Sequence, residues 1–167
     1  MNKILPIIIL CTFCWSCKPN GGGASSQLPQ ACSLLTTDLL AAILREPAKN
    51  PTPANANLGE VSACTYSLPG RSLEDYLGIY VYTPAPTLDM YSLKNIADEW
   101  KLQNAGADYE ILDNAQYPMA WFPGEHKVYP STFIILFRKT TLVITGVAKD
   151  DAKSIAFRAM VQHKLDQ

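Results

Sequence analysis

The stretch TFIILFRKTTLVIT, residues 132–145, carries the clearest fold signal in the chain. Phe133 to Phe137 is an unbroken apolar run, and Leu142-Val143-Ile144-Thr145 answers it across a short polar turn near Arg138-Lys139-Thr140. Two such arms rich in β-branched and aromatic residues predict an antiparallel hairpin. The turn lacks the Asn-Gly pair that would fix its type. The first arm is apolar at both parities, so both of its faces are expected to be buried. A sheet with a helix layer on each face satisfies that requirement.

Working outward, Asp150-Asp151 opens a helix whose Ala152, Ile155, Ala156, Ala159 and His163 share one stripe, with Lys164 placed favourably at its C-terminal end. Before the hairpin, Tyr109–Leu112 and Met119–Phe122 read as short strands. Leu93, Ile96, Ala97 and Trp100 fit the i, i+3, i+4, i+7 pattern of a helix, with Gly106 as its stop. Leu77, Ile79 and Val81 alternate with Gly78, Tyr80 and Tyr82 as in a strand that Pro84 and Pro86 close. Ser62–Leu68 is a second extended segment. The prolines of residues 50–55 predict a loop. Thr36-Thr37-Asp38 supplies an N-cap for a first helix bearing Leu39, Leu40, Ile43 and Leu44, which Pro47 ends. The order is α-β-β-α-β-β-β-β-α, an α+β class with a mainly antiparallel sheet flanked by about three helices.

The N-terminus, MNKILPIIILCTFCWSCKPNGGGASS, carries Cys11, Cys14 and Cys17. Cys14 and Cys17 have CxxC spacing, but a redox CxxC needs a helix after it, and Lys18-Pro19-Asn20-Gly21-Gly22-Gly23 cannot supply one. No second CxxC or His pair completes a zinc or iron–sulfur ligand set, so no metal is expected. Lys3 followed by the apolar run Ile4–Trp15 has the form of a secretory signal. That run is too short to remain as a spanning helix, which takes about 20 residues. Ser16-Cys17 gives the small-residue–cysteine step of lipoprotein processing, whereas Leu10 before Cys11 and Phe13 before Cys14 are too large. The segment resembles a bacterial lipoprotein signal with a relaxed lipobox, Cys14-Trp15-Ser16-Cys17, of Bacteroidetes type. That resemblance implies cleavage after residue 16, lipidation of Cys17 with acyl chains such as palmitate, and attachment to the cell envelope, most simply the outer membrane. Plain secretion with cleavage near Ala24-Ser25 is the competing reading.

The organisation is then a signal peptide over residues 1–16, a lipidated cysteine and flexible Gly/Ser tether over 17–30, and a single globular domain over 31–167. Removing residues 1–16 from 167 leaves 151 residues, enough for one domain with a core. It removes one of 14 basic residues, so 13 face 15 acidic ones, for a balance of −2. With no basic block or stripe, nucleic acid is not expected as a partner, and membrane attachment is expected to rest on the lipid. The two remaining cysteines, Cys32 and Cys64, form an even pair in an exported chain and are expected to be disulfide-bonded.

Cys32-Ser33-Leu34-Leu35, Cys64-Thr65-Tyr66, Ala120-Trp121-Phe122 and the closing Ile155-Ala156 also resemble a family of small lipoproteins of unknown function, known mainly from actinobacteria. That family is similar to PsbP-like α/β sandwiches. The resemblance implies a disulfide and an envelope location, and carries over no catalytic residues.

Neither HExxH, GxSxG, a P-loop nor GxGxxG is present. His126 lies in a polar loop, and His163 is expected to play a structural part. Asp98-Glu99 and Asp150-Asp151 are neighbours that point apart on helices, unsuited to paired acid–base work. What stands out is the aromatic set Tyr80, Tyr82, Tyr91, Tyr109, Tyr117, Trp121, Phe122 and Tyr129, either core or recognition surface. Tyr117, Trp121 and Tyr129, beside Pro118, Pro123 and Pro130, are the expected exposed contact surface. The sequence therefore points to a non-catalytic envelope module binding a protein or small ligand, without a cofactor. An envelope enzyme with a scattered site is the alternative.

Overall fold

The structure, a computed structural model, describes residues 28–54, 60–69, 76–104, 107–112, 116–125 and 129–167. The expected signal peptide, Cys17, most of the tether, Gly106 and His126 lie outside these residues. The elements are a short 3₁₀ turn at Ala31–Ser33, then α1 (Thr37–Leu44), β1 (Lys49–Ala54), β2 (Glu60–Ser67), β3 (Tyr76–Tyr82) and α2 (Met90–Gln103). They continue with β4 (Glu110–Leu112), β5 (Met119–Phe122), β6 (Thr132–Leu136), β7 (Thr141–Thr145) and α3 (Lys149–His163). All seven strands join one antiparallel sheet in the order β1-β2-β3-β7-β6-β5-β4. The expected α+β architecture is present.

The fold closes around the hairpin. β6 and β7 sit mid-sheet, paired from Thr132↔Thr145 to Leu136↔Thr141, and every residue of both is buried. Alternation splits them between two cores. Phe133, Ile135, Leu142 and Ile144 face α1, α3 and the 3₁₀ turn. Ile134, Leu136 and Val143 face α2, which supplies Leu93 and Ala97. No helix among the described residues is long and apolar enough to cross a membrane.

Local chemistry fixes the helix ends. The Thr36 hydroxyl accepts the Leu39 N–H, and the Asp89 carboxylate accepts the Ser92 N–H, each satisfying an orphan donor of the first turn. That bond holds the Asp89 carboxyl below its ordinary pKa. On α3 the buried stripe is Ala152, Ile155, Ala156 and Ala159. The half-buried His163 closes it by donating from Nε2 to the Leu34 carbonyl at 2.9 Å, a structural role. Cys32 and Cys64 are disulfide-bonded and fasten the 3₁₀ turn to β2.

One expectation fails here. Residues 50–55 were expected to form a loop, yet Lys49–Ala54 is strand β1. Its ladder pairs Thr52 with Thr65 and Ala54 with Ala63. Those pairs face β2, so the nitrogens of Pro51 and Pro53 point to the open side of the sheet. Proline, lacking an N–H, is tolerated at such an edge.

Gly146 follows β7 with φ +82°, and a Cβ there would strike the Tyr76 carbonyl oxygen, which belongs to backbone. Gly146→Ala is expected to destabilise the domain by roughly 2–3 kcal/mol, read as a lowered urea midpoint at unchanged slope.

Candidate functional site

Residues 113–115 and 126–128 lie outside the described residues. What remains of the 113–130 segment is strand β5 and its flanks. β5 is hydrogen-bonded on both sides, to β4 and β6. Pro118 and Pro123 bracket the strand without interrupting it. Trp121 is therefore only 8% exposed and packs in the α1/α3 core. Tyr117 is 3% exposed, with its ring edge-on to Phe137 at 5.2 Å and Phe157 at 5.8 Å. Its hydroxyl donates to Asp166 Oδ2 at 2.9 Å and accepts from Gln116 Nε2 at 2.8 Å. Tyr129 is half-buried against the α2 core, its backbone bridged to Glu125. The expected contact surface of Tyr117, Trp121 and Tyr129 does not form. A strand paired on both sides turns its side chains into the two cores.

The titratable groups give no catalytic constellation among the described residues. None of their His, Cys, Asp and Glu side chains group in threes suited to a metal ion. Lys101 pairs with Asp108 at 2.7 Å and Lys149 with Glu110 at 2.6 Å, both on the surface. Tyr109 donates to Asp98 Oδ1 at 2.6 Å. Burial first, then that bond and the Asp98 charge, push the Tyr109 pKa up to about 12. Burial also raises Tyr66, and it raises Tyr117 together with the Asp166 bond. A tyrosine whose folded pKa lies above its unfolded 10.0 contributes stability that is fully present below pH 10.0. That contribution is lost as pH climbs toward about 12. The urea midpoint is expected to fall across that window, less steeply in Tyr109→Phe.

The arrangement with binding character lies beside α2. Leu93 and Ala97 fill the core beneath the helix, while Ile96, Glu99, Trp100 and Gln103 recur one turn apart along its flank. That flank overhangs the sheet where Tyr82 of β3 pairs with Thr141 of β7. The result is a cleft of about 300 Å³. Thr141 and Val143 contribute from the sheet, and Thr83 and Pro86 from the segment entering α2. This volume is at the lower limit for small-molecule sites, which are mainly apolar with a few placed polar groups.

The polar groups of the lining residues differ in access. The Thr141 Oγ1 has no hydrogen-bond partner among the described residues, but it is sealed from solvent and so from the cleft, as are the Thr145 and Tyr66 hydroxyls elsewhere. The indole N–H of the half-buried Trp100 is unbonded among the described residues, and Glu99 forms no ion pair there. A buried orphan hydroxyl costs about 1–3 kcal/mol. A second groove, between α1 and α3, is wider at about 650 Å³ but is rimmed by charges of both signs, Arg45, Lys153 and Arg158 with Asp150 and Asp151.

Sequence reasoning named Tyr82 among its aromatics and placed Trp100 on the buried stripe of α2, but did not bring the two together. The signal available was Gln103, which extends the Ile96–Trp100 flank away from Leu93 and Ala97. Compared with models of protein families, with curated proteins and with solved structures, the chain finds no match.

Proposed function

We propose that the chain is an envelope lipoprotein, anchored through Cys17, whose domain is a non-catalytic module holding a small ligand in the cleft beside α2. The observation that carries the binding reading is that cleft. Tyr82, Ile96, Trp100 and Val143 give it apolar walls, and Trp100, whose indole N–H has no partner among the described residues, lines it beside the polar Glu99 and Gln103. Rigid aromatic rings offer contact area at low entropic cost, and a Trp N–H in a half-buried place ordinarily finds a partner. The anchor is supported by the signal-like run ending at Ser16-Cys17 and the glycine-rich segment after it.

The two halves are tested separately. Cys17→Ala is expected to stop lipid attachment and release the protein from the membrane fraction. Normal processing with unchanged membrane retention rejects the anchor. For the cleft, the Trp100 indole resonance of the full chain, assigned with Trp100→Phe, is followed while small aromatic fragments are added. Saturable shifts support the site, and a resonance that never moves rejects it.

A further inference from the structure

Resting on the cleft reading above, we propose that the cleft selects an organic cation: an apolar ring or chain carrying one ammonium group. The distribution of charge at the cleft favours such a ligand. Of the nine described residues lining the cleft, only Glu99 is charged, and neither Lys nor Arg is among those nine. Glu99 is exposed and has no ion-pair partner among the described residues. The nearest lysine along the helix, Lys101, is engaged with Asp108 at 2.7 Å. Among the described lining residues an anionic ligand thus meets a carboxylate with no compensating cation, whereas an ammonium meets its counterion.

Ring chemistry adds to this preference. Glu99 and Trp100 both line the cleft from α2, and Tyr82 lines it from the sheet side. The faces of such rings carry negative potential that attracts ammonium groups, indole most strongly. The Trp100 ring is not engaged in any ring–ring contact among the described residues. A carboxylate beside an unstacked indole and a phenol is a setting in which cation–π attraction and ion pairing act on the same group. Ile96 and Val143 then meet the apolar body of the ligand.

The test uses three probes of one shape: phenylpropylammonium, phenylpropanol and phenylpropanoate. Each is titrated into the full chain, in phosphatidylcholine nanodiscs, with the Trp100 indole resonance as readout. The ammonium is expected to bind about tenfold more tightly than the alcohol, from an exposed ion pair and a cation–π contact together, and the carboxylate most weakly. Glu99→Gln is expected to reduce that preference to about threefold while leaving the affinity for the alcohol unchanged. Equal binding of ammonium and alcohol, or a preference that survives Glu99→Gln in full, overturns the cation proposal and leaves the cleft reading standing. Failure of all three probes to shift the resonance overturns both.

Discussion

Truncating Trp121 to alanine is expected to lower the unfolding midpoint of the domain by roughly 10–15 °C. The indole is 8% exposed and packs among Met119, Phe133 and Ile135 of the α1/α3 core. Removing a large aromatic from such a place costs about 3–5 kcal/mol, the lost burial plus the cavity left behind. In a domain of this size each kcal/mol moves the midpoint by about 3 °C. Because β5 is paired on both sides, its backbone cannot shift to fill the space without breaking a ladder. Differential scanning calorimetry checks the value. A shift below about 3 °C would mean that the indole is not a core residue.

Loss of the Cys32–Cys64 bridge is expected to have a comparable effect by a different route. The two residues are 32 apart in sequence, and closing a loop of that size restricts the unfolded chain by about 3–4 kcal/mol. In the folded domain Cys64 is fully buried, and the bridge draws in the partly buried Cys32 of the 3₁₀ turn. Comparing urea midpoints of the oxidised protein and of Cys32→Ser/Cys64→Ser measures it. Mass spectrometry of the non-reduced protein should find no alkylatable thiol at either position. The double variant should remain folded, because Leu34 and Leu35 still bury themselves against the same core.

The indole and the disulfide illustrate what one chain discloses about itself. The disulfide could be inferred from counting, once the N-terminal cysteines had been set aside as part of a signal. The 132–145 hairpin was legible because an apolar run at both parities has few other uses, and it brought the two helix layers with it. The burial of Trp121 is hidden in the sequence because nearby prolines argue against pairing throughout, whereas Pro118 and Pro123 only flank a four-residue strand. β1 was missed for the related reason that local proline chemistry argued for a loop, while pairing to β2 decided otherwise. The cleft was not legible. It depends on where α2 lies across the sheet, a tertiary offset that leaves Trp100 beside Thr141 and Val143, residues about 40 positions later. Periodicity reports that a helix has a buried face, but not how far its flank overhangs the neighbouring strand.

The proline-bearing edge has a consequence for how copies of this domain behave when concentrated. A sheet polymerises by offering both N–H and C=O groups to an incoming strand. At one margin of this sheet Pro51 and Pro53 leave carbonyls without the alternating donors, so an approaching strand finds acceptors alone. At the other margin β4 is three residues long, too short to template a ladder. Among the described residues neither margin offers a full ladder to an incoming strand. Crowded copies are expected to remain separate particles, with no tendency to join into a continuous ribbon of strands.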